Sequence, residues 1–379
     1  MSTPPAASWV PKHCVWEITL ACNARCRHCG SRAGAKRSNE LDLHEALDLI
    51  AALAELGCQT VTLSGGEPLL REDWPELAGA IRRHGMVLEI VTNGLSVAAQ
   101  ADRIAAAGFN AVTFSIDGTQ DVHDRLRGVA GALERLLDGA RALIERGVRI
   151  AANTQINQEN QDDLESIHEL LVAEGFAGWQ LQLTMAHGRV RDVPSLCIAP
   201  SRLPVLEQQI CSILTTSPLF VQAADNIGYM SRQEPRLRSP SGPSQHFWRG
   251  CYAGLAVIGI RSNGDVAGCL SLPDAFIAGN VRQRPLREIW NDDAPFAYNR
   301  CFDVRQLAGG CADCAFGLIC RAGCRSLAVS ASGHPFANPY CLHQVSQNQG
   351  PATRRPADGS PAVDGPGPHL GPQGRRHGG

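Results

Sequence analysis

No stretch of this 379-residue chain approaches the roughly 18 consecutive apolar residues that a membrane-spanning helix needs, so no helical membrane segment is expected. The opening residues, MSTPPAASWVPKHC, lack the basic segment and apolar stretch of an export signal, and the expected location is the cytoplasm. Neither sign of charge is in excess: 35 Lys and Arg stand against 37 Asp and Glu, a formal net charge of -2. No electrostatic argument therefore favours nucleic acid or an acidic membrane surface as a partner. Cysteine is too sparse for a small disulfide-knit scaffold, and fifteen cysteines, an odd number, cannot all be paired. In a reducing compartment, clustered thiols are expected to hold metal.

The chain is long enough for two domains, since single cores stop growing near roughly 250 to 300 residues. From 14 to 183 six short apolar runs read as strands: CVWEITL, QTVTLSG, VLEIVTNG, AVTFSIDG, VRIAANTQIN and WQLQL. A helix-like stretch follows each. In the first, Leu43, Leu47, Ile50, Leu53 and Leu56 recur at three-to-four spacing, with Asp42 and Glu45 placed as a capping box. Six repeats with short connections imply parallel strands and right-handed crossovers, in a doubly wound sheet or a partial barrel. Both place ligands at the C-terminal strand ends.

Beyond 200 a further helix is expected over 201–216, followed by a polar stretch to 250. Residues 251–341 are rich in glycine and cysteine and poor in periodicity, as expected of a small domain held by metal. The expected organisation is an N-terminal extension over 1–13, a core domain over 14–200, a helical and polar bridge over 201–250, a cysteine-rich domain over 251–345 and a disordered tail over 346–379.

Cys22, Cys26 and Cys29 are spaced C-x3-C-x2-C on one loop that offers no fourth thiolate. Three readings compete. A structural zinc would borrow His28 or Cys14, although a histidine between Cys26 and Cys29 is badly placed to reach the same ion. Unliganded thiols are the second reading. The third is a four-iron, four-sulfur cluster held by three cysteines, with one iron open to a further ligand.

CNARCRHC, directly after the first strand, resembles the signature of the radical S-adenosylmethionine (radical SAM) superfamily. The resemblance implies that the amino and carboxylate groups of SAM occupy the open iron, and that one electron cleaves SAM to methionine and a 5'-deoxyadenosyl radical. SGGEP, at 64–68, resembles the family's GGE motif, which implies that the backbone of Gly65 and Gly66 and the carboxylate of Glu67 hold the methionine ammonium. TNG ends the third strand and SIDG the fourth, making Asn93, Ser115 and Asp117 candidates for the ribose hydroxyls. Each also reads as an ordinary turn. Arg125 or Arg127 could pair with the SAM carboxylate, or stand exposed at a helix start. NTQIN and QLT lie where the family contacts adenine.

A second array, Cys251, Cys269, Cys311, Cys314, Cys320, Cys324 and Cys341, resembles the SPASM domain, as does LREIWN between its halves. By that resemblance Cys311, Cys314, Cys320 and Cys341 complete one auxiliary cluster, while Cys251, Cys269 and Cys324 hold another with three thiolates. His246 and Cys301 are candidates for the fourth position, or it is open to substrate or water. The rival is a pair of zinc sites, which would use two C-x2-C pairs where this array has one. Cys58, Cys197 and Cys211 lie outside every motif and read as small buried residues, or as a hydrogen-atom donor for an epimerase.

The fold expected is therefore α/β, a partial (β/α)6 TIM-like barrel followed by a small cysteine-rich α+β SPASM domain. The resemblance implies SAM and three 4Fe–4S clusters as cofactors, one binding SAM and two auxiliary. It implies hydrogen abstraction from a ribosomally synthesised peptide, which is crosslinked, oxidised or epimerised. Only 21 residues precede Cys22, too few for a leader-binding domain, so a separate leader-binding protein or direct docking of the precursor peptide is expected. An electron donor such as flavodoxin or ferredoxin is the other expected partner. The alternatives are a small-molecule substrate such as a tetrapyrrole, and a noncatalytic electron-transfer protein.

Overall fold

A computed structural model describes residues 9–238 and 247–348. Its barrel runs β1 His13–Thr19, α1 Leu43–Glu55, β2 Thr60–Gly65, α2 Trp74–Arg83, β3 Val87–Thr92, α3 Val97–Ala107, β4 Ala111–Ser115, α4 Gln120–Arg127, α5 Ala132–Ile144, β5 Ile150–Ile156, α6 Leu164–Ala173, β6 Gly178–Leu183, α7 Leu203–Thr216 and β7 Phe220–Ala223. Each strand pairs in parallel with the next. The capping box of α1 forms as the spacing predicts: the Glu45 N–H donates to Asp42 Oδ1 and the Asp42 N–H to Glu45 Oε2, both at 2.9 Å.

Strand alternation sorts the side chains into two sets. Cys14, Trp16 and Ile18 on β1, Val61 and Leu63 on β2, Leu88 and Ile90 on β3, and Val112 and Phe114 on β4 are buried in one core under the helices. The intervening residues face the barrel interior and are largely polar: Glu17, Ser64, Glu89, Ser115, Gln155, Gln182 and Gln222 line its cavity. A polar inner face keeps the barrel open as a ligand chamber, where an apolar one would fill it with packed layers.

The fold class is the one expected, with two additions. The segment assigned to a polar bridge supplies a seventh parallel strand, β7, and the helix before it begins at Leu203. The cysteine-rich region is also continuous with the barrel. Its strands β8 Val257–Ile260, β9 Asp265–Ala267 and β10 Ile277–Asn280 extend the same sheet, in the order β10-β9-β8-β1-β2-β3-β4-β5-β6-β7. β8 lies parallel to β1, with His13 opposite Val257 and Trp16 opposite Ile260, while β9 and β10 turn back antiparallel.

The helix Leu286–Asn291 carries LREIWN, and its Trp290 is buried with Nε1 donating to the Trp9 carbonyl at 2.8 Å. The helix Leu342–Asn348 reaches three residues into the segment expected to be disordered. Its remainder, 349–379, and the ligand candidate His246 lie outside the described residues. Among the described residues no helix is long and apolar enough to cross a membrane.

Candidate active site

The loop after β1 is shaped before any metal is considered. It closes on itself through Cys22 N–H to the Gly34 carbonyl at 2.9 Å and Gly34 N–H to the Leu20 carbonyl at 3.0 Å. It is pinned to the end of α4 by Arg25 N–H to Arg127 O and Arg27 N–H to Leu126 O. Every sulfur of the loop receives a donor: Ala24 N–H and Asn93 Nδ2 point to Cys22 Sγ at 3.5 and 3.8 Å, Arg127 Nη1 to Cys26 Sγ at 3.7 Å, and Ala33 N–H to Cys29 Sγ at 3.4 Å. Such donors suit thiolates. Burial nevertheless pushes the Cys22 thiol up to about 11 and raises Cys26, whereas a bound cation would favour their thiolates. All fifteen cysteines are free of disulfides.

The SGGEP turn lies directly against this loop. Gly66 N–H donates to Thr19 O at 2.8 Å and Glu67 N–H to Ala21 O at 2.7 Å. A Cβ on Gly66 would sit 2.2 Å from the Ala21 carbonyl oxygen, and one on Gly65 2.4 Å from that of Thr19. Only glycine permits so close an approach. Gly65, Gly66, Asn93 and Ser115 line the cavity beside the three cysteines.

Glu67 and Asp117 stand behind that wall, fully buried. Glu67 accepts from Thr92 Oγ1 at 2.8 Å, Asn93 N–H at 2.7 Å and Leu69 N–H at 3.2 Å, bracing the end of β3 against the end of β2. Burial pushes its carboxyl up to about 7, against these hydrogen bonds. Asp117 pairs with Arg127 and, at 2.8 Å, with His28 Nε2. Burial alone would raise the Asp117 carboxyl, but Arg127 and His28 together hold it well below the usual carboxylate range. Arg127 also donates to Ser115 O at 2.9 Å and lines the cavity. Arg125 instead turns outward to Glu159, at 2.8 Å.

The cavity enclosed by the barrel measures about 1270 Å³. Against the cysteine loop, part of its wall comes from the segment after β6, with His187, Arg189 and Arg191, where the Arg189 backbone N–H donates to the Cys29 carbonyl at 2.9 Å, and a further part comes from 270–275 after β9.

Two sets of the remaining cysteines lie near one another. Cys311, Cys314, Cys320 and Cys341 line one small pocket with Met230, Phe316 and His343. The sulfurs of Cys251, Cys269 and Cys324 lie within electrostatic reach of one another. Cys301 is exposed after the helix Ala297–Arg300. Among the described residues no three His, Cys, Asp or Glu side chains close on a point as ligands of a single ion do.

The description "Radical SAM superfamily" matches residues 16–171 and "Iron-sulfur cluster-binding domain", the SPASM domain, residues 251–315. The pre-heme d1 synthase of Dinoroseobacter shibae is 30% identical over 382 residues, covering 93% of this chain and 91% of its own. The chain belongs to the radical SAM superfamily. The AdoMet-dependent heme synthase of Methanosarcina barkeri is 29% identical, covering 88% of this chain and 97% of its own. The mycofactocin maturase MftC of Mycobacterium tuberculosis is 30% identical, covering 88% and 83%. The crystal structure of Streptococcus suis SuiB bound to S-adenosylmethionine superposes with a TM-score of 0.68 at 17% identity, covering 87% of this chain and 76% of that one, a likeness of fold.

Radical SAM enzymes with this domain use SAM and 4Fe–4S clusters, and the residues present fit those groups: three donor-supported thiols at a strand end facing a large chamber, and two further thiol sets. What sequence reasoning missed is the inner face of the barrel and the wall after β6. The alternation in NTQIN and WQLQL signals the first. Nothing local signals that Arg189 donates to the Cys26 carbonyl at 3.1 Å across the loop.

Proposed function

We propose that Cys22, Cys26 and Cys29 hold the SAM-binding cluster, that the other two thiol sets hold auxiliary clusters, and that the substrate is a carboxylate-bearing small molecule of the tetrapyrrole class. When bound by Cys22, Cys26 and Cys29, the SAM-side cluster would supply one-electron reductive cleavage of SAM and, through it, hydrogen abstraction from the substrate. Gly65 and Gly66 offer backbone where a side chain would block the ligand, Asn93 and Ser115 offer polar groups to its ribose side, and Arg127 faces its carboxylate. Glu67 and Asp117 act one layer back, holding the strand ends and Arg127 in place.

The observation that carries the choice of substrate is the cavity's charge. Six arginines line it against three carboxylates, Glu17, Glu89 and Asp274. Arg37 pairs with Glu17 at 2.9 Å, Arg261 with Asp274 at 2.8 Å, Arg32 with Asp192 at 2.5 Å and Arg127 with Asp117. Arg189 and Arg191 have no carboxylate partner among the described residues; Arg189 is held by the carbonyls of Cys26 and Ala33, whereas Arg191 reaches only the Ala186 carbonyl, at 3.4 Å. Guanidinium groups without carboxylate partners match the acid side chains of a tetrapyrrole by bidentate pairing. Ligand pockets typically run from roughly 300 to 1,000 Å³, so this chamber has room for SAM and a second large molecule. The heme and pre-heme d1 synthases support the same class.

The peptide maturase that the sequence suggested is the second reading, supported by the resemblance to MftC. The two separate in one experiment. Anaerobically reconstituted enzyme with reductant is expected to release more 5'-deoxyadenosine when given iron coproporphyrin, and to gain nothing from its fully esterified form. Stimulation by peptides alone, or equal stimulation by acid and ester, would overturn the carboxylate reading.

A further inference from the structure

The segment after β6 sets His187 in the wall of the chamber. Its backbone is satisfied locally, the N–H donating to the Met185 carbonyl at 2.7 Å and the carbonyl accepting the Val190 N–H at 2.9 Å. Its ring reaches across to the cysteine-rich region: Nε2 lies 3.0 Å from Ser326 Oγ, and Ser326 Oγ donates to the Ser271 carbonyl at 2.6 Å. A serine hydroxyl has one hydrogen, and a carbonyl can only accept. Ser326 therefore gives its hydrogen to Ser271, its oxygen accepts from His187, and Nε2 carries the hydrogen of the neutral ring. Nδ1 is left as a bare lone pair.

That lone pair has no hydrogen-bond partner among the described residues and is open to the chamber rather than sealed within the protein. On its own segment Arg191 stands in the same wall, holding only the Ala186 carbonyl, while Arg189 is turned to the carbonyls of Cys26 and Ala33. On the helix Arg325–Ser332, the Arg325 guanidinium points to the carbonyls of Tyr298 and Pro335, and Cys324 is the N-cap. In 270–275, which follows Cys269, Asp274 is paired with Arg261. The cysteine loop brings Cys29, whose carbonyl accepts the Arg189 N–H. No carboxylate among the described residues is bonded to the ring. Burial holds the imidazole below its ordinary value and Arg191 acts in the same direction, so the free chamber keeps one neutral acceptor among its cations.

A lone pair is a poor match for the carboxylate that a guanidinium binds, unless the ring gains a proton and Nδ1 becomes a donor. We propose that His187 is a carboxylate receptor of the chamber, taking a proton from solvent as an acid group of the substrate binds at Nδ1. The imidazolium then donates through both nitrogens, Nδ1–H to the substrate carboxylate and Nε2–H to Ser326, and no other bond is made or broken. Neutral until the acid arrives, the ring adds nothing to the mutual repulsion of the arginines in the empty chamber, and acid binding is coupled to pH. This role rests on the reading of the substrate as carboxylate-bearing.

The test is calorimetric titration of iron coproporphyrin into the reconstituted full-length enzyme at about pH 8, repeated in phosphate and in Tris, whose different heats of ionisation count the protons exchanged on binding. Wild type is expected to take up about one proton more per site than His187→Gln, whose amide keeps a donor toward Ser326 but cannot titrate. The Kd of wild type should also rise by up to about tenfold per pH unit above about pH 7, and that of the variant less steeply. Equal uptake and parallel pH dependence in the two proteins would overturn the proposal and leave the carboxylate reading intact. Equal affinity for the acid and its fully esterified form would overturn both. Should His187→Gln fail to fold, wild type alone decides: proton uptake with the acid is expected to exceed that with the ester, and equal uptake would overturn the proposal.

Discussion

The barrel and the cysteine-rich region reach comparable sites by opposite means. In the barrel, the loop carrying Cys22, Cys26 and Cys29 is held by backbone hydrogen bonds, by glycines packed on carbonyls, and by the buried set of Asp117, His28 and Arg127. In the region around Cys311–Cys341 regular elements are short, with the helix Gly317–Cys320 only four residues long, and four thiols share one small pocket. There the metal centre is expected to contribute the folding energy that a core would otherwise provide.

Removing one auxiliary ligand should break this contrast most severely. Cys320→Ala is expected to forfeit metal-linked stabilisation on the order of 10 kcal/mol. Hydrogen exchange should then show residues 297–348 losing protection while β2 to β6 keep theirs. Equal loss in both regions would remove the distinction. In the barrel, Arg127→Met leaves the Asp117 charge buried against His28 alone, and denaturant unfolding should register a loss of about 3–5 kcal/mol, with SAM cleavage abolished.

Glu67→Ala deprives Thr92, Asn93 and Leu69 of their acceptor and is expected to cost about 1–3 kcal/mol, with Glu67→Gln restoring part of it. The same carboxyl gives a pH signature. Its raised value of about 7 means that the folded state holds this proton more tightly than the unfolded chain, whose value lies near 4.5. Its share of stability is therefore complete below pH 4.5 and lost as pH rises through about 7. The stability of wild type relative to Glu67→Gln should fall across that window, and a flat difference would contradict it. The smallest effect is expected at the cavity wall: Arg191→Ala should raise the KM for iron coproporphyrin about tenfold, or about 1.4 kcal/mol, by steady-state assay.

Much of the barrel was legible because its signals are local. Alternating apolar runs mark six of the seven parallel strands, and the cysteine spacing marks the loop. β7 was not, since Phe220–Ala223 is four residues long with two exposed, and no periodicity emerges from so few positions. The roles of Glu67 and Asp117 were only half legible. Their motifs place them at strand ends, but whether a carboxylate enters the chamber or braces its wall depends on partners 25 residues away for Thr92 and 10 away for Arg127. The tie between the turn after β7 and the cysteine array escaped notice because Tyr229, whose hydroxyl accepts the Cys324 N–H, stands 95 residues from it in sequence.

The pairing of β1 with β8 has a consequence for synthesis on the ribosome. Residues 13–16 emerge early, yet their partners at 257–260 are made more than two hundred residues later. Until then β1 is an open sheet edge with unpaired N–H and C=O groups, a template for other chains. At about 5–20 residues per second this exposure lasts on the order of 10 to 50 s for each nascent chain. Slower translation between β2 and β8 should therefore favour aggregation of this protein, and a chain released before residue 257 leaves that edge of the strand from which its cysteine loop begins unpaired.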